Sequence, residues 1–214
     1  MRTYTFNISL SILNHLGRNL YRSFITVLGE AISNSWDADA TNVSISIDRE
    51  QNTLIITDDG VGMDSESFQN KFLKIGYSKR KDNVTHTPKG RPFIGRKGIG
   101  KLALLSCAKK ITILTKTIDS DITGGVIENA GLDQAIIDDV SANDYILSIP
   151  EAERIDQYKA NLANSGTLII FEDITDGIKN KIEYIRKQVA YFFRFSILDP
   201  TFNISINNNP ITLD

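Results

Sequence analysis

The sequence predicts a mixed α/β layer fold, and three observations predict it. Helix-period and strand-period apolar patterns alternate along all 214 residues. No internal repeat, low-complexity tract or Pro/Ser-rich linker breaks that alternation. Hydrophobic residues at 41% and charged residues at 23% are ordinary globular composition, and the length leaves room for a real core.

Residues 16–36 read as a long helix, because Leu20, Phe24, Leu28 and Ile32 fall four apart on one stripe. The run NVSISID (42–48) alternates Val43, Ile45 and Ile47 as a half-buried strand does. TLIIT (53–57) follows a Glu-Gln-Asn turn, so the two strands read as a hairpin. SESFQNKFLKIG reads as a short helix with Asp64 or Ser65 as its cap and Gly76 as its stop. Residues 77–100 are polar, basic and glycine-bearing, with no usable period; a loop this long is either functional or disordered. A helix over 101–109, a strand over 111–116, an acidic irregular span over 118–164 and a strand over 166–173 follow. A last helix covers 178–195, and FNISIN opens another strand pair at the point where the sequence stops. The reading is therefore an N-terminal piece of a longer protein, divided at about residue 200, with a short natural chain as the alternative.

Composition excludes several classes. A net charge of −2 gives no global pull toward nucleic acid or anionic membrane. No apolar run reaches the roughly 18–20 residues of a membrane span, and the N-terminus lacks the pattern of a secretory signal. The single Cys107 rules out an internal disulfide, which with the missing signal suits the cytosol. Cys107 itself reads as a small buried hydrophobe in a helical run, with a nucleophile as the alternative. The scattered carboxylates of 118–164, Asp119, Asp121, Asp138 and Asp139 among them, match no calcium loop and read as a solvated insertion.

Three short stretches carry chemistry. In GEAISNSWDADATN, Glu30, Asn34 and Asp37 share one helix face beside the apolar stripe. Such groups are costly to bury unless they hold something. An oxygen ligand such as Asn34 suits a hard cation, and Glu30 is placed to orient or deprotonate a water; an ordinary solvated face is the competing reading. IITDDGVGMD is a strand running into two acids and a glycine turn, where a carboxylate can accept from a ligand amine and glycines admit a flat ring. A plain hairpin turn also explains it. GRKGIGKL nearly spells the phosphate loop G-x-x-x-x-G-K-[ST], but Leu102 stands where a metal-binding hydroxyl belongs. Gly95, Gly98 and Gly100 lead into a helix start, whose free amides form an anion site without any particular side chain. Arg96, Lys97 and Lys101 add charge there.

Taken in order, E-x-x-x-N-S-x-D-A, a strand ending D-x-G-x-G-M, G-x-x-G-x-G-K opening a helix, and S-G-T before a strand resemble the GHKL ATPase superfamily. That superfamily comprises gyrase B, the heat-shock chaperone of ninety kilodaltons, histidine kinases and mismatch-repair MutL. The four motifs span Glu30 to Thr167, and the flanking segments extend the resemblance over nearly the whole chain.

The resemblance implies a Bergerat-type two-layer α/β (α+β) sandwich: a mixed, largely antiparallel sheet with helices on one face and a long ATP lid over about 77–100. It implies an ATP-binding domain over 1–200, and a following transducer domain beginning within 201–214. By motif position, Glu30 is the general base, Asn34 binds Mg²⁺, and Asp37 supports the nucleotide pocket. Asp58 accepts from the adenine amine, Asp59 fills the variable slot, and Gly60, Gly62 and Met63 shape the adenine pocket. Gly95, Gly98, Ile99, Gly100 and Lys101 wrap the phosphates, and Thr167 completes the adenine end through a water. Lys79 and Arg80 read as solvated lid charges, and His86 as a passive loop residue.

The expected function is Mg-dependent ATP binding with slow hydrolysis, coupled to lid closure and ATP-dependent homodimerisation. A non-hydrolysing nucleotide switch is the alternative, and Glu30 argues against it. A histidine kinase domain is disfavoured, because too little chain precedes the first helix and N-S-W-D-A-D-A stands where kinases of the family carry N-A-x-K. The client, protein or DNA, is not written in these residues.

Overall fold

Along β1 (Asn42–Asp48) every second residue is buried, with Val43, Ile45 and Ile47 inward and polar residues outward, the pattern of a strand with one covered face. A tight turn leads into β2 (Thr53–Asp58). Asp48 Oδ1 accepts the amides of Glu50 and Gln51, both at 2.9 Å. Asn52 takes the left-handed backbone, φ 51°, that asparagine tolerates. The computed structural model describes residues 24–74, 84–95, 107–138, 140, 144–174 and 178–213. It adds β3 (Ala108–Lys116), β4 (Thr123–Glu128), β5 (Gly166–Ile174), β6 (Asn203–Ile206) and β7 (Asn209–Pro210). The seven strands form one sheet in the order β4-β3-β5-β2-β1-β6-β7. Only β1 and β6 pair in parallel; the other neighbours are antiparallel. The sheet is thus mixed and largely antiparallel, as expected.

One face carries the main core. The helix α1 (Phe24–Asp37) sets Val27, Leu28, Ala31 and Ile32 on Ile45, Leu54, Ile56 and Ile113. Ile185 and Val189 of α5 (Ile182–Phe192) join them. Each buried Val, Leu or Ile among them contributes about 1.5–3 kcal/mol, so packing rather than intrinsic propensity holds α1. The predicted stripe is right where it is described: Leu28 and Ile32 are fully buried and Phe24 is half-buried. Leu20 lies outside the described residues. The opposite face is not bare. Leu114, Leu168 and Ile170 pack under Leu162, Ile155 and Tyr158, which come from α4 (Ala152–Tyr158) and the 3₁₀ turn after it.

Several boundaries differ from the sequence reading. The short helix α2 (Ser65–Ser67), capped by Asp64 through the Ser67 amide at 2.7 Å, runs into a π turn over Phe68–Phe72. Its expected stop, Gly76, lies outside the described residues. Ala108 and Lys109, expected in a helix, belong to β3, because Ala108 pairs with Ile174 across the sheet. The span 118–164 is not irregular: it supplies β4, α3 (Asn129–Ile137) and α4. Gly124 and Gly125 hide β4 from a propensity reading, yet Gly124 lies so close to the Ile113 carbonyl that no Cβ fits. The last helix breaks at Phe193 into α5 and α6 (Arg194–Ile197). The segment read as opening a following domain contributes β6 and β7 to this same sheet.

Candidate functional site

The strand register builds a polar row at one end of the helix-covered face. Asp58 of β2 lies opposite Thr167 of β5, Thr167 opposite Thr115 of β3, and Thr115 opposite Thr123 of β4. Residues in register share a face, so this row caps the apolar layer of Ile56, Ile169 and Ile113.

Asp58 is 8% exposed. Ser35, on α1, donates its hydroxyl to Asp58 Oδ2 at 2.9 Å, and the Gly60 amide donates to Oδ1 at 3.0 Å. Burial still wins and lifts the carboxyl from 3.8 to about 6; the Gly60 amide, the Ser35 hydroxyl and the Thr167 amide pull the other way, and Asp59 adds a small push upward. Asp59 faces elsewhere. Its carboxylate takes the Thr41 amide at 2.6 Å and both Asn42 nitrogens at 2.7 Å, a structural clasp on the start of β1.

The glycine turn after β2 is required by space. A Cβ on Gly60 would stand 2.7 Å from the Ala38 carbonyl. Gly62 has φ +63°, and its Cβ would run into the Lys116 carbonyl. Met63 donates its amide to Thr115 Oγ1 at 3.0 Å, and Ser165 Oγ donates to the Gly60 carbonyl at 2.7 Å. The turn is therefore pinned from β3 and from the residue before β5. The result is a buried carboxylate beside a tightly held backbone turn, an acceptor that suits a ligand amine.

Glu30 and Asn34 stand one turn apart on α1, both half-buried. Asp37, 8% exposed, ends the helix and accepts the amides of Ile94 at 2.9 Å and Gly95 at 3.1 Å. Gly95, read as a phosphate-wrapping residue, thus gives its amide to Asp37. Gly98, Ile99, Gly100 and Lys101, like Lys79 and Arg80, lie outside the described residues. Just beyond, α1 closes in a Schellman motif: Asp39 N–H reaches the Trp36 carbonyl at 3.0 Å and Ala40 N–H the Ser35 carbonyl at 3.1 Å. Asp39 occupies the left-handed position, φ 57°, that glycine usually takes. Its carboxylate accepts the Thr87 hydroxyl and, at 3.0 Å, the Lys89 amide.

That contact anchors a hairpin the sequence did not reveal. His86 and Pro92 bridge, and a turn at Thr87–Gly90 carries Pro88 at its second position. Arg91, 4% exposed, runs from this hairpin into the body. It donates to the Ala40 carbonyl at 2.6 Å and to Thr201 O and Oγ1 at 2.9 and 2.8 Å. Its guanidinium lies 4.8 Å from the Trp36 ring centre and 5.2 Å from that of Phe202.

The structure brings Asp58, Gly60, Gly62, Met63 and Thr167 together, and joins Asp37 to the amides of Ile94 and Gly95. Sequence reasoning missed Thr115, Asp39 and Arg91 as parts of this assembly, and gave Ser165, the serine of the S-G-T motif, no role of its own. Thr115 had a signal, since it continues the inward alternation of Ile111 and Ile113; Arg91 had none. Cys107 is set apart from this chemistry: burial pushes its thiol up to about 12, so it stays protonated and unreactive. Among the described residues no cluster of three or more His, Cys, Asp or Glu forms a metal cage, and no helix is long and apolar enough to cross a membrane. A Mg²⁺ held by one oxygen side chain and the phosphates of a nucleotide fits this donor set.

Comparison with known proteins agrees with this geometry. A family model described as "Histidine kinase-, DNA gyrase B-, and HSP90-like ATPase" matches residues 21–167. The chain is 36% identical over 208 residues to HgiDII of Herpetosiphon aurantiacus, a candidate type II restriction enzyme; the match covers 97% of this chain and 32% of that protein. It is 27% identical over 157 residues to the chaperone protein HtpG of Bacillus subtilis, covering 70% of this chain and 25% of HtpG. It is 24% identical over 166 residues to the DNA mismatch repair protein MutL of Ehrlichia chaffeensis, covering 77% of this chain and 21% of MutL. The chain spans about a third or less of the length of these relatives. With the family model matched over more than half of its length, the chain belongs to the GHKL ATPase family.

Proposed function

We propose that the chain binds ATP with Mg²⁺ and hydrolyses it slowly, as the motor or switch domain of a larger cytoplasmic protein. Lid closure and ATP-dependent homodimerisation would be the mechanical output. The observation that carries this reading is Asp58, a buried carboxylate at a strand end beside a glycine turn held tightly against Ala38 and Lys116. Asp58 accepts from the adenine amine, Gly60, Gly62 and Met63 form the ring's floor, and Thr167 completes that end. Asn34 holds Mg²⁺, which neutralises phosphate charge when bound. Glu30, one turn away, orients and deprotonates the attacking water. Gly98, Ile99, Gly100 and Lys101 receive the phosphates, with Asp37 holding the Gly95 amide at the near end of that loop.

Similarity to HgiDII over nearly the whole chain favours a larger protein that acts on DNA. The net charge of −2 gives this stretch no electrostatic footprint for DNA, so its part would be the switch rather than the reader. Calorimetry with a non-hydrolysable ATP analogue tests the site: Asp58→Asn and Asn34→Ala should each abolish measurable binding. Retained affinity in Asp58→Asn would remove the adenine assignment.

The pH dependence follows from Asp58. Its folded value of about 6 lies above the ordinary 3.8, so the folded chain holds that proton the more tightly. The associated stability is fully present below 3.8 and is lost as pH rises through about 6. A donating amine favours the carboxylate instead. Binding at pH 6 should therefore release about half a proton per site, and affinity should fall about tenfold between pH 7 and pH 5. Titration heats at pH 6 in two buffers of different ionisation enthalpy, corrected for the nucleotide's own phosphates, read that release. Equal heats would contradict it.

A further inference from the structure

We infer that Thr115 is a positioning residue that fixes the Thr167 hydroxyl as an acceptor, so that the site takes both N–H bonds of its nucleotide's exocyclic amine. The inference rests on the nucleotide reading above and adds a residue that none of the four motifs contains. Thr115 is 0% exposed, so water does not reach it. Its Oγ1 accepts the Met63 amide at 3.0 Å, lies 2.9 Å from the Gly166 carbonyl, and lies 3.1 Å from Thr167 Oγ1.

A hydroxyl has one proton and two lone pairs. The Met63 amide takes one lone pair. The Gly166 carbonyl can only accept, so the Thr115 proton goes there. The second lone pair then receives the Thr167 proton, and every site on Thr115 Oγ1 is used. Thr167 Oγ1 keeps its lone pairs and has no proton left to give. It stands half-buried, directly across the sheet from the Asp58 carboxylate, a second acceptor beside the first. An amine on a heteroaromatic ring carries two N–H bonds and satisfies both, directly or through one water. A ring hydrogen in its place satisfies neither.

The experiment titrates the chain with ATP and with purine riboside triphosphate, which differs only in lacking the amine. The readout is the ratio of the two dissociation constants. Thr115→Val should reduce that ratio by about three- to tenfold, the worth of one hydrogen bond. Thr115→Ser, which keeps the hydroxyl, should hold it within about twofold, and Thr167→Val should repeat the loss. A role in packing alone would weaken both ligands equally, so an unchanged ratio in a folded Thr115→Val overturns the inference. If Thr115→Val does not fold, an unchanged ratio in Thr167→Val overturns it equally well. Failure of the unaltered chain to bind ATP is a separate result, which removes the nucleotide reading and this inference with it.

Discussion

Glu30→Ala is expected to cut phosphate release by at least about 100-fold, the worth of a positioned general base, while nucleotide affinity stays within about threefold. Glu30 is half-buried on α1, one turn before Asn34 and away from the fully buried stripe of Val27, Leu28 and Ile32. Alanine is the better helix former, so α1 keeps its packing and its Schellman end. Asn34 and Asp58, the proposed metal and adenine contacts, are untouched. Single-turnover release of radiolabelled phosphate, set beside calorimetric affinity, separates the two effects. Hydrolysis at the unaltered rate would show that another group activates the water. A matched loss of affinity would show that Glu30 binds nucleotide rather than acting on water.

The second large effect is structural. Arg91→Ala should destabilise the fold by about 3–5 kcal/mol, as removal of one member of a buried charged network does, and lower Tm by about 10 °C. The 4%-exposed guanidinium satisfies the Ala40 carbonyl and both Thr201 oxygens, and lies 3.4 Å from the Asp199 carboxylate. It also packs against both Trp36 and Phe202, whose rings meet edge to face at 5.1 Å. Removing it takes away that packing and strands the carbonyls. Arg91→Lys should recover less than half, because an ammonium on a single stem cannot reproduce a fork between Ala40 and Thr201. Thermal denaturation by circular dichroism measures both variants, and a drop in Tm below 3 °C for Arg91→Ala would show that the network is dispensable.

The contrast between Glu30 and Arg91 shows what was legible in the sequence. β1, β2 and the buried part of α1 could be read because one periodic face meets one core: Val43, Ile45 and Ile47 leave no other register. The Asp58 turn was legible because close backbone approach admits only glycine at Gly60 and Gly62, and such needs leave fixed spacing behind. The Arg91 hairpin was not, since its partners Ala40 and Thr201 lie 51 and 110 residues away and neither contact imposes a local pattern. β4 was hidden for the opposite reason: its neighbour β3 supplies the pairing, so Gly124 and Gly125 can be tolerated in a strand. Asp39 was obscured because an aspartate does the work of a C-terminal glycine and binds the Thr87–Lys89 turn as well.

The most direct test of the central claim is a crystal structure of the chain with Mg²⁺ and a non-hydrolysable ATP analogue. The adenine amine is expected within hydrogen-bond distance of the Asp58 carboxylate, the ring against Gly60–Met63, and the metal on the Asn34 side chain. A nucleotide seated elsewhere, or an adenine amine with no contact to Asp58, would contradict it.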